Sequence, residues 1–238
     1  GGLDIPTSSN LVLSEIYYNP PGQDESTEYI ELLNVGGTSL DLGGTQFTDG
    51  IDFTFSAGTI LVPGERILIV ANQASFEAAF GDGSTIAGEF ENGTALSNDG
   101  ELITIQSGAG GTVRSFAYSD DAPWAEGADG DGFSLVLLNP NSLPDHSLAV
   151  SWRLSSHLGG SPGSSDECPD FVGDPNSDLD QDGIPALIEY LLGGSDGDTS
   201  NAATAFQIGS VPLGGESHPT FGTTYKVGAD QLEFSAYI

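Results

Sequence analysis

The chain has 238 residues, of which 37% are hydrophobic and 9% aromatic, so it can bury a sizeable core. Its 35 acidic residues face only four lysines and arginines, which gives a formal net charge of −31 at pH 7. Such a surface repels nucleic acids and anionic lipids because they are also negatively charged, and it attracts divalent cations. We therefore expect no nucleic-acid partner.

The cysteine content indicates the compartment in which the protein works. Because Cys168 is the single cysteine, an intrachain disulfide is excluded. One cysteine among many carboxylates is compatible with an exported bacterial protein that does not depend on disulfides. No run of 18 apolar residues is present, so we expect this chain not to insert into a membrane.

The first two thirds of the sequence read as short strands separated by turn-forming glycine, proline and aspartate. The predicted strands are 11–19, 28–35, 39–42, 53–55, 59–62, 66–72, 102–107, 112–118, 134–139 and 148–154. One short helix is predicted at 75–81, with Ser75 as its N-cap and Gly81 at its end. Many short strands at this spacing predict a mostly β protein, either a β-sandwich or a barrel.

The composition changes after the predicted strands. Residues 155–178 are rich in glycine, serine, proline and aspartate, which is typical of a linker. Weak strand patterns return at 206–211, 223–227 and 232–237. We divide the chain into a β-sandwich at 8–165, a linker with a short helix at 166–200 and a partial β segment at 201–238.

The linker contains the stretch 178-DLDQDGIPALIE-189, which fits the calcium-loop pattern D-x-[DN]-x-[DN]-G-x5-E completely. Calcium prefers about six to eight oxygen ligands, and Gly183 permits the sharp turn at position six. The predicted ligands are the carboxylates and one backbone carbonyl at the ligand positions of the pattern: Asp178, Asp180, Asp182, Ile184 and Glu189. The sequence therefore predicts an EF-hand-like calcium site.

The residues after the loop predict a short helix. Apolar side chains recur on one helical face at Ile184, Leu187, Ile188, Leu191 and Leu192. No helix is predicted before the loop, so the segment is a loop followed by one helix. We interpret it as a structural calcium site and not as a sensor, because extracellular modules of this type bind calcium weakly and stay occupied outside a cell. A second cation could bind near Asp129 and Asp131, or near Asp196 and Asp198. For the first pair we favour the interpretation that its aspartates and glycines form a turn.

Three stretches of the sandwich region resemble a known family. They are 11-LVLSEIYYNP-20, 28-EYIELLNVGGTSLDLGG-44 and 53-FTFSAGTILVPGERILIVAN-72, and together with later motifs the resemblance covers 8–165. They resemble the lamin tail domain of secreted bacterial proteins, although Thr45 and Gln46 stand where that family commonly has a tryptophan. The resemblance implies an immunoglobulin-like β-sandwich. The loop at 178–189 is similar to dockerin or thrombospondin-type-3 calcium segments.

These resemblances imply an exported bacterial protein, located outside the cell or on its surface, with a non-catalytic domain. We predict a secreted module for interaction or scaffolding, with calcium as its cofactor at the junction and an unknown protein or polysaccharide as its ligand. A polysaccharide-binding module and an accessory fragment of a larger extracellular hydrolase are the two alternatives.

Several residues suit an active or sugar-binding site, and each has a simpler explanation. Glu15 and Glu31 lie on neighbouring predicted strands and could form a glycosidase pair, but we favour a structural role. Hydrolysis by a Ser/His/Asp triad would draw on the histidines at 146, 157 and 218. Neither His146 nor His157 lies in a nucleophile-elbow motif such as G-x-S-x-G. Trp124 and Tyr118 could stack on a sugar, although core packing is the commoner use of such rings. We therefore predict that the chain is not an enzyme.

Overall fold

In the computed structural model, the described residues are 2–166, 174, 176–179, 181, and two strands at 207–213 and 216–222. The chain divides into two compact units, Gly1–Asp166 and Glu167–Ile238. The predicted helix after the calcium loop lies outside the described residues. No helix among the described residues is both long and apolar enough to span a membrane.

Within residues 2–166, the larger sheet has six strands. All neighbours in it are antiparallel except the last pair, which is parallel. In spatial order the strands are β12 (Trp152–Leu154), β11 (Leu135–Leu137), β1 (Leu11–Tyr17), β2 (Tyr29–Asn34), β7 (Arg66–Val70) and β8 (Ile86–Glu89).

The second sheet of this unit has four strands within residues 2–166. In spatial order they are β10 (Thr112–Ala117), β9 (Leu102–Gln106), β4 (Gln46–Asp49) and β5 (Phe53–Thr54). A small antiparallel pair is formed by β3 (Leu40–Asp41) and β6 (Ile60–Leu61), and Asp4 adds a parallel bridge to Leu40. Short 3-10 turns occupy Pro21–Gln23, Glu25–Thr27, Glu126–Ala128, Pro140–Ser142 and Ala149–Ser151.

The main hydrophobic core joins the two large sheets. Ile16, Ile30 and Ile69 of the six-stranded sheet share one buried cluster with Phe47 and Ile105 of the four-stranded sheet. Side chains alternate between the two faces of a strand, so every second apolar residue enters this core. The predicted mostly β class and the β-sandwich are confirmed.

The six-stranded sheet is also covered on its outer face. The helix α1 (Gln73–Phe80) places Phe76 and Phe80 against Tyr17, Tyr29 and Leu68. Because both faces are covered, all seven residues of β1 are buried. This explains why β1 does not show the apolar–polar alternation of a strand with one face in water.

The structure differs from the sequence-based prediction at several local features of the sandwich, and one is Ala149–Ser151, a 3-10 turn where the strand 148–154 was predicted. The strands β4 and β8 were not predicted, since each carries weak alternation and depends on a neighbouring strand. Helix α1 begins earlier than predicted, because its N-cap is Asn72 and not Ser75. The Asn72 side chain accepts a hydrogen bond from the Ser75 backbone N–H at 2.9 Å.

The second unit contains one described hairpin. Its strands are β13 (Gln207–Leu213) and β14 (Glu216–Gly222), which pair antiparallel along their full length. The first of these overlaps the strand predicted at 206–211. The strands predicted at 223–227 and 232–237 lie outside the described residues.

Candidate functional site

A buried polar site of the sandwich lies where residues 159–163, here called the closing segment, cross the outer face of the six-stranded sheet. Glu15 on β1 and Glu31 on β2 form a direct cross-strand pair beneath this segment. Both glutamates are 1% exposed. A carboxylate removed from water in this way must find hydrogen-bond donors within the protein.

Glu15 receives its donors from three parts of the chain. Its Oε1 accepts from Tyr29 Oη at 2.8 Å, from Ser134 Oγ at 2.5 Å and from the Ser161 backbone N–H at 2.9 Å. Its Oε2 accepts from Ser161 Oγ at 3.2 Å. The carboxylate thus connects β1, β2, the start of β11 and the closing segment.

Glu31 is held in a similar way by different donors. Its Oε1 accepts from Ser14 Oγ at 2.6 Å and lies 3.0 Å from Arg66 Nε. Its Oε2 accepts from the Gly163 backbone N–H at 2.7 Å. Removal of either glutamate would therefore release one anchor of the closing segment.

Burial disfavours the charged form of both glutamates. Burial is the largest cause that raises the pKa of Glu15, and it also raises the pKa of Glu31, with the neighbouring Glu15 as the next cause. The Ser14 hydroxyl, the Arg66 guanidinium and the Gly163 amide oppose this change at Glu31. The closing segment thus contributes donors that favour the charged form of both groups.

The two glutamates do not form an open acid cleft. Their oxygens are occupied by donors, and the closing segment covers them on the face that a substrate would need to enter. The space is tight, since a Cβ added to Gly160 would lie 2.0 Å from Glu15 Oε1 and 2.1 Å from Tyr29 Oη. The arrangement suits a structural anchor and leaves no room for a sugar between the acids.

A second polar cluster surrounds His146 at the edge of the main core. Burial and the neighbouring Arg114 guanidinium lower the pKa of His146 to about 4, so the ring is neutral at pH 7. Nε2 of the ring lies 3.2 Å from the Leu13 carbonyl, and Nδ1 lies 3.1 Å from Arg114 Nη1 and 3.0 Å from the Pro144 carbonyl. When Nδ1 accepts from Arg114, Nε2 donates to Leu13. The ring also packs against Phe116 and Trp152.

We expect His146→Ala to lower the free energy of unfolding by about 2 kcal/mol, because it opens a cavity beside Phe116 and leaves Arg114 with one partner fewer. Urea denaturation at pH 7 measures the change. The matched control is His157→Ala, which removes an exposed ring and should stay within about 0.5 kcal/mol of wild type. Equal losses in both variants would contradict a structural role for His146.

The aromatic side chains near Pro123 do not form a flat exposed surface. Tyr118 is 2% exposed, and its hydroxyl donates to the Ser97 carbonyl at 2.7 Å. Trp124 is half-buried against the core, with its ring centroid 6.2 Å from that of Trp152. Within residues 2–166, the large hydrophobic side chains that are exposed include no aromatic ring, so a sugar would find no stacking platform there.

Glu28 is a buried acid that the sequence pattern did not single out. It is fully buried immediately before β2, and its Oε2 accepts from the Leu96 backbone N–H at 2.9 Å. Its Oε1 has no hydrogen-bond partner among the described residues. Burial is the main cause that raises the pKa of Glu28 to about 8, and the charges of Glu25 and Glu101 add to it. A buried acid leaves no local trace in a sequence in which 35 residues are acidic.

The predicted calcium ligands fall largely outside the described residues. Asp178 is described, whereas Asp180, Asp182, Ile184 and Glu189 are not. Nearby, Asp174 Oδ1 accepts from the Asn176 backbone N–H at 3.0 Å, which is a local turn contact. Among the described residues, no group of three or more histidine, cysteine, aspartate or glutamate side chains is arranged to hold a metal. The calcium site stays a prediction.

Asp129 and Asp131 occupy a turn, which was the favoured interpretation of their sequence. Gly130 and Gly132 have φ angles of 83° and 94°, a conformation that glycine adopts readily. Asp129 Oδ1 accepts from the side-chain amide of Asn19 at 2.5 Å. The contact joins this turn to the segment that follows β1.

The fold and its buried polar anchor define a class of protein: an immunoglobulin-like β-sandwich with a covered outer face. Residues 5–120 match the family model described as Lamin Tail Domain. This segment is therefore similar to lamin tail domains, the family that its sequence motifs resemble. No curated protein matches the chain.

The match ends before the last two strands of the larger sheet. Strands β11 and β12 lie after residue 120, yet β11 pairs with β1 in the register Glu15↔Val136 and Ile16↔Leu135. The folded unit therefore includes residues beyond the matched segment. A lamin tail domain of this fold suggests a non-catalytic interaction module.

Proposed function

We propose that this chain is a secreted or cell-surface module of a bacterium that serves interaction or scaffolding without catalysis, with a calcium-stabilised junction after the sandwich. The observation that carries the non-catalytic role is the state of its buried acids. Glu15 and Glu31 are the pair best placed for acid–base chemistry, and both are covered and held by structural donors. A rigid sandwich with covered acids suits presentation of a surface to a partner.

The calcium part of the proposal is supported by the complete loop pattern at 178–189 and by the acidic composition. In the proposed site, Asp178, Asp180, Asp182 and Glu189 supply carboxylate oxygens and Ile184 supplies its backbone carbonyl. Calcium would stiffen the junction by drawing these like charges together. The extracellular location is supported by the single cysteine and by the calcium level that such a weak site needs.

We expect calcium to bind wild-type protein with a dissociation constant of about 10⁻⁴–10⁻³ M and to raise its melting temperature. Calorimetry and thermal melting on wild type and Asp180→Ala test this. The Asp180→Ala variant should lose both responses, since one carboxylate ligand is gone. Asp82→Ala, which removes an exposed carboxylate of the sandwich, is the matched control and should respond as wild type does.

The outcomes separate the two parts of the proposal. If wild-type protein does not bind calcium at millimolar concentration, the calcium-stabilised junction is refuted, while the proposed interaction role is unaffected. Of the two alternatives, a polysaccharide-binding module finds no support in the covered rings near Trp124. The second alternative, an accessory fragment of a larger extracellular hydrolase, predicts the same calcium response for this chain.

A further inference from the structure

A small apolar patch lies on the exposed side of the sheet formed by β3, β6 and the segment at residues 3–5. Asp4 pairs with Leu40, and Leu40 pairs with Leu61. Leu40 and Leu61 are buried at 0% and 1% exposure, so their side of β3 and β6 faces the core, whereas Asp4 at the edge of that side is exposed. Side chains alternate along a strand, and the residues on either side of these three therefore face away from the core.

The register arranges those outward residues in two rows. Asp41 pairs directly with Ile60. Continuing the register from the pairs Asp4–Leu40 and Leu40–Leu61 gives the two rows Ile5–Asp41–Ile60 and Leu3–Ser39–Val62. Four of the six side chains are large and apolar, with exposed fractions of 51% for Leu3, 58% for Ile5, 39% for Ile60 and 38% for Val62. We call these six residues the outer patch. It is roughly 10 Å across the strands and about 7 Å between the rows.

The outer patch carries negative charge among its apolar side chains. Asp41 lies between Ile5 and Ile60 in its row, and its Oδ1 accepts from the Gly43 backbone N–H at 2.9 Å. Glu65 is exposed beside Val62, whose backbone N–H donates to Glu65 Oε2 at 3.3 Å. A partner that covers the apolar side chains must also meet these two carboxylates.

The sandwich has no spare positive charge to meet them. Within residues 2–166, each of the three arginines is engaged inside the unit. Arg66 pairs with Glu31, Arg153 pairs with Asp166, and Arg114 donates to the carbonyls of Leu11 and Ser8. With a net charge of −31 on the chain, a second copy would bring more negative charge to this surface. The occupant that complements the patch is therefore cationic.

We propose that the outer patch binds a polypeptide segment of another protein that combines lysine or arginine with large apolar side chains. The apolar side chains of the partner cover Leu3, Ile5, Ile60 and Val62, while its cations lie beside Asp41 and Glu65. This inference deepens the proposed interaction role, on which it rests, by naming the partner class. It does not depend on calcium. Because the patch is small, binding is weak, with a dissociation constant of about 10–100 μM at low salt.

The test uses the full chain and three peptides with blocked ends: acetyl-KLKLKLKL-amide, acetyl-KSKSKSKS-amide and acetyl-ELELELEL-amide. The first supplies both charge and apolar side chains, the second only positive charge, and the third apolar side chains with negative charge. We expect the first peptide alone to bind in calorimetry, to weaken as salt is added, and to shift amide resonances of β3 and β6. Equal binding of acetyl-KSKSKSKS-amide would overturn the proposal in favour of non-specific charge attraction.

Variants then locate the binding. Leu3→Ser/Ile60→Ser should weaken binding of acetyl-KLKLKLKL-amide at least about tenfold, because both side chains face outward and their loss leaves the core intact. The matched control is Leu148→Ser/Val150→Ser, which removes two other exposed apolar side chains, 51% and 79% exposed, and should bind as wild type does. A loss of similar size in the control would overturn the proposed location.

Charge is tested separately by Asp41→Asn, which keeps the Oδ1 acceptor for Gly43. It should weaken binding about threefold and reduce the salt dependence. No binding of acetyl-KLKLKLKL-amide at about millimolar peptide would overturn the proposal while leaving the calcium titration unaffected. Dimerisation of the unliganded protein that Leu3→Ser/Ile60→Ser abolishes would show that the occupant is a second copy, and this too would contradict it.

Discussion

Gly160→Ala is expected to lower the free energy of unfolding by about 3–4 kcal/mol, the largest change expected for a single substitution in the closing segment. The added Cβ would lie 2.0 Å from Glu15 Oε1, 2.1 Å from Tyr29 Oη and 2.8 Å from Ser134 Oγ. The segment must therefore move away and lose the Ser161 and Gly163 donors to the glutamate pair. Each lost hydrogen bond to a carboxylate costs about 1.5–3 kcal/mol, and partial rearrangement recovers some of this.

The matched control for this prediction is Gly110→Ala. Gly110 has a φ of 85°, close to the 81° of Gly160, but a Cβ there would meet nothing within 4 Å. The control therefore reports only the backbone cost of a positive φ, about 1–2 kcal/mol. Urea denaturation gives both values, and hydrogen exchange should show faster exchange of the Ser161 and Gly163 amides in Gly160→Ala. If the two variants lose the same stability, the anchoring of the closing segment by the glutamates contributes little.

Alkaline pH is expected to destabilise the sandwich through Glu28. Burial raises the pKa of this carboxyl from 4.5 to about 8 in the folded state, so the folded protein holds a proton that the unfolded chain has released. The stabilisation that neutral Glu28 contributes is therefore fully present below about pH 4.5 and is lost as the pH rises towards about 8. The raised pKa values of Glu15 and Glu31 act in the same direction.

Glu28→Gln isolates this contribution, because the amide matches the shape of the neutral acid and can still accept from the Leu96 amide. Thermal melting at pH 5 should give nearly equal melting temperatures for wild type and variant. At pH 9.5 the variant should melt several degrees higher. Glu126→Gln, at an exposed glutamate, is the control and should follow wild type at both values. An unchanged pH profile in Glu28→Gln would show that Glu28 is ionised in the folded protein at neutral pH.

A strongly acidic chain can still pack a sandwich core because most of the carboxylates within residues 2–166 are exposed and the few buried ones are accommodated by the fold. The repulsion within a chain of net charge −31 is spread over exposed carboxylates. The buried acids Glu15, Glu28 and Glu31 each accept hydrogen bonds from the protein, and burial raises the pKa of each. The exposed acids remain available for cations and for basic partners.

The sequence by itself determined the β class, the position of most strands and the lamin tail motifs. These follow from local information: short apolar runs, the turn residues between them and the spacing of motifs. It also determined that the chain cannot form an intrachain disulfide and is strongly acidic. The calcium loop at 178–189 is likewise a local pattern, and it awaits the titration.

Tertiary structure alone decided which acids are buried and what holds them. Glu15 and Ser161 are 146 residues apart, and Glu31 and Gly163 are 132 apart, so no local pattern connects them. The strand β8 depends in the same way on its parallel partner β7. The outer patch exists because Asp4, Leu40 and Leu61 come into one row, which places their neighbours on the opposite side of the sheet. Strand order and register depend on long-range contacts, and these decide which of many similar carboxylates and aliphatic side chains become a site.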